Sequence, residues 1–542
     1  MRSGFTGTVR LTRLALRRDR VTLPAWVVGM AAFTAATTAL FNDNYTRHPE
    51  LLGLDTRIVV ENPGMRVLGL VTGPTVGGYA LHRDGLTLAV LAAMMSVLAV
   101  VRHTRQSEEL GREEILGAGV VGRYASLTAA TAVTLAANLA LALMLALGLM
   151  LAGQPVAGSM VGGASIALVG VFFTGVAAVT SQLASTSRGA IGLASAGLGA
   201  AFGLAALGNM TGTVDAAALR VTSTWPTWLS PIGWGQQMRP FADDLWWPLG
   251  LAVVGVGCLF LVSVTLAARR DVGRGMWPER RGASLASPAL LSPFGLVWRL
   301  QRGTLLGWSL GLVGFGLIFG ALSDQISGLT GAATQWYKGF GGEADLLGAY
   351  WASMMQIAGT TVSIYVATIV LRLHHDEAQG TAESVLATAV SRLRWLGAYA
   401  LNALAGATVL MGGFALAMGI TGGSTLGGTP ALLGDLVGAA AVQLPAIAVL
   451  GAAALAVTAV VPRWSPGLVW ALVVATIVTG PMFGPSLGLP SWLLNLSPFT
   501  HVPNAPATAA TPAPILGLSL AGLLLALWSI TVIRRRNLAL PA

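Results

Sequence analysis

The sequence predicts an all-α, polytopic membrane protein made of two parallel six-helix repeats. Three observations lead there. First, 54% of the 542 residues are hydrophobic and only 10% charged, with mean hydropathy +0.71, far from the charge content of soluble domains. Second, apolar runs of about 20 residues, long enough to cross a bilayer, recur along the whole chain. Third, one charged segment occurs twice. Residues 102–123 read RHTRQSEELGREEILGAGVVGR and residues 372–392 read RLHHDEAQGTAESVLATAVSR. A shift of 269 residues, close to half the chain, places Glu108 on Glu377, Gly111 on Gly380, Glu114 on Glu383 and Arg123 on Arg392. Such a repeat suggests one docking surface built twice, for a partner that also comes in two copies.

Twelve runs are expected to span: 21–41, 84–101, 124–153, 158–184, 189–208, 246–268, 304–323, 350–371, 397–421, 431–461, 465–484 and 512–533. Hydrocarbon offers backbone groups no water, so each run satisfies its own hydrogen bonds as a helix. The first run follows a basic lead, Met1–Arg20. Its small-residue stretch Ala31–Ala39 imitates a signal-peptidase site, but a counterpart of the region recurs deep inside the chain, so an uncleaved anchor is expected. The sole cysteine, Cys258, falls in the sixth run, which excludes an intrachain disulfide and any thiol motif.

The segments between runs set the orientation. The N-terminus, the loops around 102–123, 188, 269–302, 372–394 and 463, and the C-terminus hold 25 of the 31 arginines. The other face keeps Arg47, Arg57, Arg66, Arg83, Arg220, Arg239 and the single lysine, Lys338. This positive-inside asymmetry places both termini in the cytoplasm of a multi-pass protein of the bacterial plasma membrane. The net charge of +10 then reads as topology signals and contacts to lipid headgroups, not as a nucleic-acid surface.

The repeat reaches beyond its charged segment. Arg20 and Trp26 share their spacing with Arg302 and Trp308, Trp225–Pro231 matches Trp492–Pro498, and Arg270-Asp271 matches Arg536-Asn537. Six helices per copy is an even number, so both halves share one orientation, as parallel repeats do. The expected domains are residues 1–275 and 276–542, the first with the longer outer loop around 42–83.

Several chemistries are poorly served. A GxxxxGK[ST] phosphate loop needs a lysine after glycine, and Lys338 lies in Trp-Tyr-Lys-Gly-Phe. Ion-coupled transport calls for titratable groups at the midplane, yet Asp84, Asp324 and Asp435 fall at run ends, where they read as interfacial caps. Asp243-Asp244 beside Trp246 and Trp247 resembles the acidic pair of a metal-dependent transferase, but its place in an outer loop next to an aromatic belt argues against that role. In His374-His375-Asp376-Glu377 adjacent side chains diverge on a helix, so a surface helix is expected and no metal.

The repeated segment carries the most specific signal. Read as one helix, Glu108, Gly111 and Glu114 share a face, as do Glu377, Gly380 and Glu383. Glycine inside a helix costs about 1 kcal/mol against alanine. Its recurrence therefore asks for a close approach or a helix break. We expect a short cytoplasmic coupling helix in each half. Met94-Met95-Ser96 and Met354-Met355-Gln356, in the second helix of each half, are candidate path residues because methionine suits irregular apolar contacts. Gly303, Gly307 and Gly311, like Gly199 and Gly203, recur every four residues, as at close helix crossings between halves.

These residues resemble the ABC-2-type permeases of actinobacterial antibiotic and multidrug exporters, especially the fused tetronasin-type polyketide exporters. The likeness rests on Thr104-Arg105-Gln106-Ser107-Glu108-Glu109-Leu110-Gly111-Arg112-Glu113-Glu114-Ile115-Leu116, on Val121-Gly122-Arg123 and on the weaker copy ending Ala389-Val390-Ser391-Arg392. It implies a type V exporter-like architecture, with a hydrophobic or amphipathic small molecule exported between the halves by alternating access. It also implies two copies of a separate ABC ATPase that hold ATP and Mg, and no cofactor or catalytic residue in this chain. The coupling residues would be Glu108, Glu109, Gly111, Glu114 and Arg123, with Glu377, Gly380, Glu383 and Arg392. Amphipathic surface helices would fall at Val9–Arg20 and Phe294–Arg302. The second copy has Ala378 for Glu109 and Thr381 for Arg112, so unequal contacts are expected, with Glu108–Glu114 the stronger. The alternatives are a proton-coupled secondary drug transporter and an exporter of a lipid or glycan.

Overall fold

A computed structural model describes residues 4–61, 65–215, 217–271, 273–277, 284–328, 346–481, 484 and 489–536. Lys338 and Asn537 lie outside the described residues. The described residues are all-α apart from one two-stranded hairpin, Thr213–Asp215 paired with Arg220–Thr222, in which Val214 faces Val221. The chain divides into two compact units, residues 1–282 and 283–542. Among the described residues eleven helices are long and apolar enough to cross a membrane.

In the first unit α1 (Thr8–Arg18) precedes α2 (Thr22–Arg47), α3 (Pro49–Glu61) and α4 (Val76–His103). Two short helices follow, α5 (Arg105–Glu109) and α6 (Arg112–Gly117). Then come α7 (Ala125–Leu151), α8 (Val156–Leu183), α9 (Ser187–Met210), the short α10 (Pro231–Gln236) and α11 (Pro248–Arg269). The centre is α8, the most buried of the eleven, packed on α4, α7 and α11. Its Gly163 permits this, because a side chain there would collide with the Ala142 carbonyl of α7. Asn138 of α7 donates to Ser96 Oγ of α4 at 2.8 Å, so a buried amide finds its partner inside the bundle.

The second unit runs α12 (Pro293–Ala321), α13 (Leu346–Ala378), the short α14 (Thr381–Leu386), α15 (Arg392–Leu426), α16 (Thr429–Val460), α17 (Ser465–Thr479), the short α18 (Ser491–Leu494) and α19 (Pro512–Arg535). Close approach of α12 and α15 depends on Gly316, where an added Cβ would sit 2.6 Å from the Phe414 carbonyl oxygen. Within their own units, and among the described residues, Gly199, Gly203, Gly303, Gly307 and Gly311 meet no such neighbour.

Two expectations need correction. The run 465–484 does not form a spanning helix. Helix α17 has 15 residues, about 22 Å at 1.5 Å per residue, short of the roughly 30 Å hydrocarbon. Pro481 stops it by forcing Gly480 into an extended conformation, with φ −69° and ψ 169°. The stretch Phe294–Arg302 is not a separate surface helix either. It is the start of α12, N-capped by the Ser292 hydroxyl, which accepts from the Gly295 N–H at 3.1 Å.

Candidate coupling site

The repeated segment folds at the end of the second long helix of each unit. In the first copy α4 gives way at Thr104, whose backbone leaves the helical region at φ −117°, ψ −92°. Helix α5 then makes little more than one turn before Gly111 adopts a left-handed φ of +67°. In the second copy Gly380 does the same at +74°, between α13 and α14. Only glycine takes such a conformation without a Cβ penalty, and it ends a helix there. Glu108 and Glu114 therefore do not share one helical face, and neither do Glu377 and Glu383. The glycine is a corner: the first acid lies before it and the second on the short helix beyond.

The first acid of each copy turns inward. The Glu108 side chain is 9% exposed and bridges Arg105, at 2.6 Å, and Arg270 at the end of α11, at 2.9 Å and through its second oxygen. The Glu377 side chain is 3% exposed and accepts from Arg536 at the end of α19, at 2.7 Å. The arginines at matching positions of the two copies complete the arrangement. Arg123 donates to the Ala267 and Arg270 carbonyls at 2.9 and 2.7 Å, and Arg392 donates to the Arg536 carbonyl at 2.8 Å. In both units an ion pair and an arginine–carbonyl bond tie the second and third long helices to the basic end of the last one. The sequence displays each Glu and each Arg, but their partners at the end of the last helix lie 144 to 162 residues away.

The second acid turns outward. Glu114 and Glu383 are exposed on α6 and α14, as is Ile115 beside Glu114. Glu109 is exposed too, and its carboxylate accepts from the Ser187 N–H at 2.7 Å and the Ser187 hydroxyl at 2.5 Å at the start of α9. It satisfies a backbone donor that the first turn of a helix leaves open. Glu113 is half-buried behind α6. Burial pushes its carboxyl above the usual range, and the nearby Glu108 charge adds to that, against an opposing hydrogen bond from Ser126.

Asp19 is a residue that motif reading passes over. It lies between α1 and α2, is 2% exposed, and accepts from Arg102 and His103 at 2.6 Å each. Burial pushes its carboxyl upward, but the His103 and Arg102 bonds outweigh this and hold it below the ordinary range. Asp19 thus pins the amphipathic α1 to the end of α4. The chain before α1 reinforces the link, with the Gly122 N–H donating to the Thr6 carbonyl at 2.8 Å and Tyr124 N–H to the Gly4 carbonyl at 2.9 Å. The only signal in the sequence is an acid alone among four arginines in Arg17–Arg20 and Arg13. At the same place in the second unit stands Gln301, inside the unbroken α12.

The candidate path residues sit mostly in the cores of their units. Met95, Ser96, Met354, Met355 and Gln356 are buried, while Met94 is half-buried against Ser195. Gln356 donates to the Phe499 carbonyl at 2.7 Å, which ties α13 to the loop before α19. In the second copy Asp376 is committed to Arg372, at 3.1 Å, and to the Tyr399 hydroxyl.

Comparison with known proteins gives two results. The chain is 37% identical over 527 residues to the multidrug efflux system permease protein Rv1217c of Mycobacterium tuberculosis, across 95% of this chain and 92% of that protein. Residues 290–534 match the family described as multidrug efflux system permease Rv1217c, C-terminal domain.

Proposed function

The chain belongs to the multidrug efflux permease family of Rv1217c, and from that premise we propose how it is driven. It is the membrane subunit of an ABC exporter whose ATP hydrolysis takes place on a separate ATPase that holds ATP and Mg. Two copies of that ATPase dock, one beneath each unit, and both termini of the permease lie on the same cytoplasmic side. The single observation that carries this reading is the duplicated corner: an exposed short helix hung by a left-handed glycine from a helix end that an internal ion pair holds rigid. Glu114 and Glu383 touch the ATPase. Gly111 and Gly380 set the angle of the short helices. Glu108 with Arg123, and Glu377 with Arg392, pass movement to the long helices of their own units, and Glu109 passes it to α9. The cargo is a hydrophobic or amphipathic compound, and Met94, Met95, Ser96, Met354, Met355 and Gln356 are the proposed path residues, Met94 the most accessible of them.

The test is co-expression with the ATPase of the same efflux system. Glu114→Arg with Glu383→Arg is expected to abolish co-purification and drug-stimulated ATP hydrolysis while the permease itself stays monodisperse. Retained assembly with full drug stimulation would overturn the proposal.

A further inference from the structure

The second unit contains a cavity of about 590 Å³ between α13, α15, α16 and α19. Its walls include Val366, Ala403, Ala407, Pro445, Ala448 and Ala526. Among the described residues no charged side chain lines it, and its hydroxyls are already engaged. Thr408 donates to the Leu404 carbonyl at 3.0 Å, Ser519 to the Ile515 carbonyl at 2.7 Å, and Tyr399 to the Asp376 carboxylate.

The repeat explains how the space arises. A shift of 276 residues places Gly158, Val161, Gly162, Ala164, Leu168 and Gly175 of α8 on Gly434, Val437, Gly438, Ala440, Leu444 and Gly451 of α16. A shift of 266 places Ser263, Thr265 and Arg269 of α11 on Ser529, Thr531 and Arg535 of α19. In these registers Phe172 becomes Ala448 and Phe260 becomes Ala526. In the first unit Phe172 lies edge-on to Trp234 at 5.3 Å and against Gly255, and both phenylalanines pack on the core. The second unit lacks both rings, and the cavity opens where they would be.

Such a space is costly to leave empty and takes up apolar molecules. Its walls would lose their dispersion contacts on one side, and an apolar cavity does not retain water. We propose that it holds a hydrocarbon chain, the acyl tail of a bilayer lipid. A tight small-molecule site places a few polar groups to orient its ligand, and here every lining hydroxyl is spent within the helices. The walls select for apolarity alone, and the bilayer supplies acyl chains continuously. The inference is independent of how transport is powered.

The test uses the full chain in phosphatidylcholine vesicles that carry a photoreactive diazirine midway along the acyl chain, with labelled peptides mapped by mass spectrometry. Label is expected on α16 and α19 residues facing the cavity. Ala448→Phe with Ala526→Phe, which restores the side chains of the first unit, should lower it several-fold by occupying the part of the space that the first unit's rings take, with label on the exposed Leu520 and Leu527 unchanged. Ala448→Val keeps the test open if the double variant misfolds, and should give a smaller decrease. Undiminished cavity labelling in a folded filled variant, or label confined to Leu520 and Leu527, would overturn the proposal. So would labelling of the cavity by a rigid photoreactive aromatic compound in place of the acyl chain.

Discussion

Removing the Glu108 carboxylate strands two arginines. In Glu108→Gln, Arg105 and Arg270 keep their charges in a nearly buried site without the anion that balances them, and breaking a buried pair from one side costs about 3 kcal/mol. We expect a clear fall in the temperature at which the purified chain loses monodispersity, and partial recovery when Arg270→Met removes the stranded charge. Gly111→Ala tests the corner: an alanine at a left-handed φ costs about 1 kcal/mol, and Gly111→Asn should cost less. Asp19 gives a pH signature. Its folded carboxyl titrates below the ordinary value of about 3.9, so its stabilisation is complete above that value and is lost as pH falls through the lower folded one. Asp19→Asn should therefore melt below the parent at pH 7, and the two melting temperatures should converge as the pH drops below about 4. The recurrence of Glu108 in Glu377 is visible in sequence. Its inward direction is not, because Arg270 and Arg536 come from the far end of each unit.

At the scale of elements, the short helices were legible and their geometry was not. A period of three can be laid on a helix wheel, but the wheel assumes the helix continues through Gly111. The φ of +67° breaks that assumption and separates two acids that the spacing seemed to align. Similar local chemistry decides α17, where Gly480-Pro481 ends a run whose composition suited a full span. It also decides α12, which stays unbroken through Gln301 while the first unit divides its counterpart at the buried Asp19. Glu109 serves as a bond to the start of α9. Glu109→Ala should cost about 1 kcal/mol, as loss of a helix cap does, and amide exchange at Ser187–Ala190 should quicken before that of the α9 interior.

At the scale of the whole molecule, each unit closes one end with the same device: a glutamate before the corner, an arginine opening the next long helix, and the basic end of the last. The copies are unequal, because Ala378 stands in place of Glu109 and cannot make the bond that Glu109 makes to Ser187. Glu114→Arg alone is accordingly expected to reduce drug-stimulated ATP hydrolysis more than Glu383→Arg alone, when both are measured in the assembled exporter. The sequence by itself determined the class, the helical composition and the duplication, since hydropathy and repeated spacing are properties of order along the chain. Only the tertiary structure decided which repeated acids face in and which face out. It alone also placed Asp19 beneath α4 and opened the cavity where two rings are missing. Those outcomes depend on partners 80 to 160 residues away, brought together by folding and marked by no local pattern.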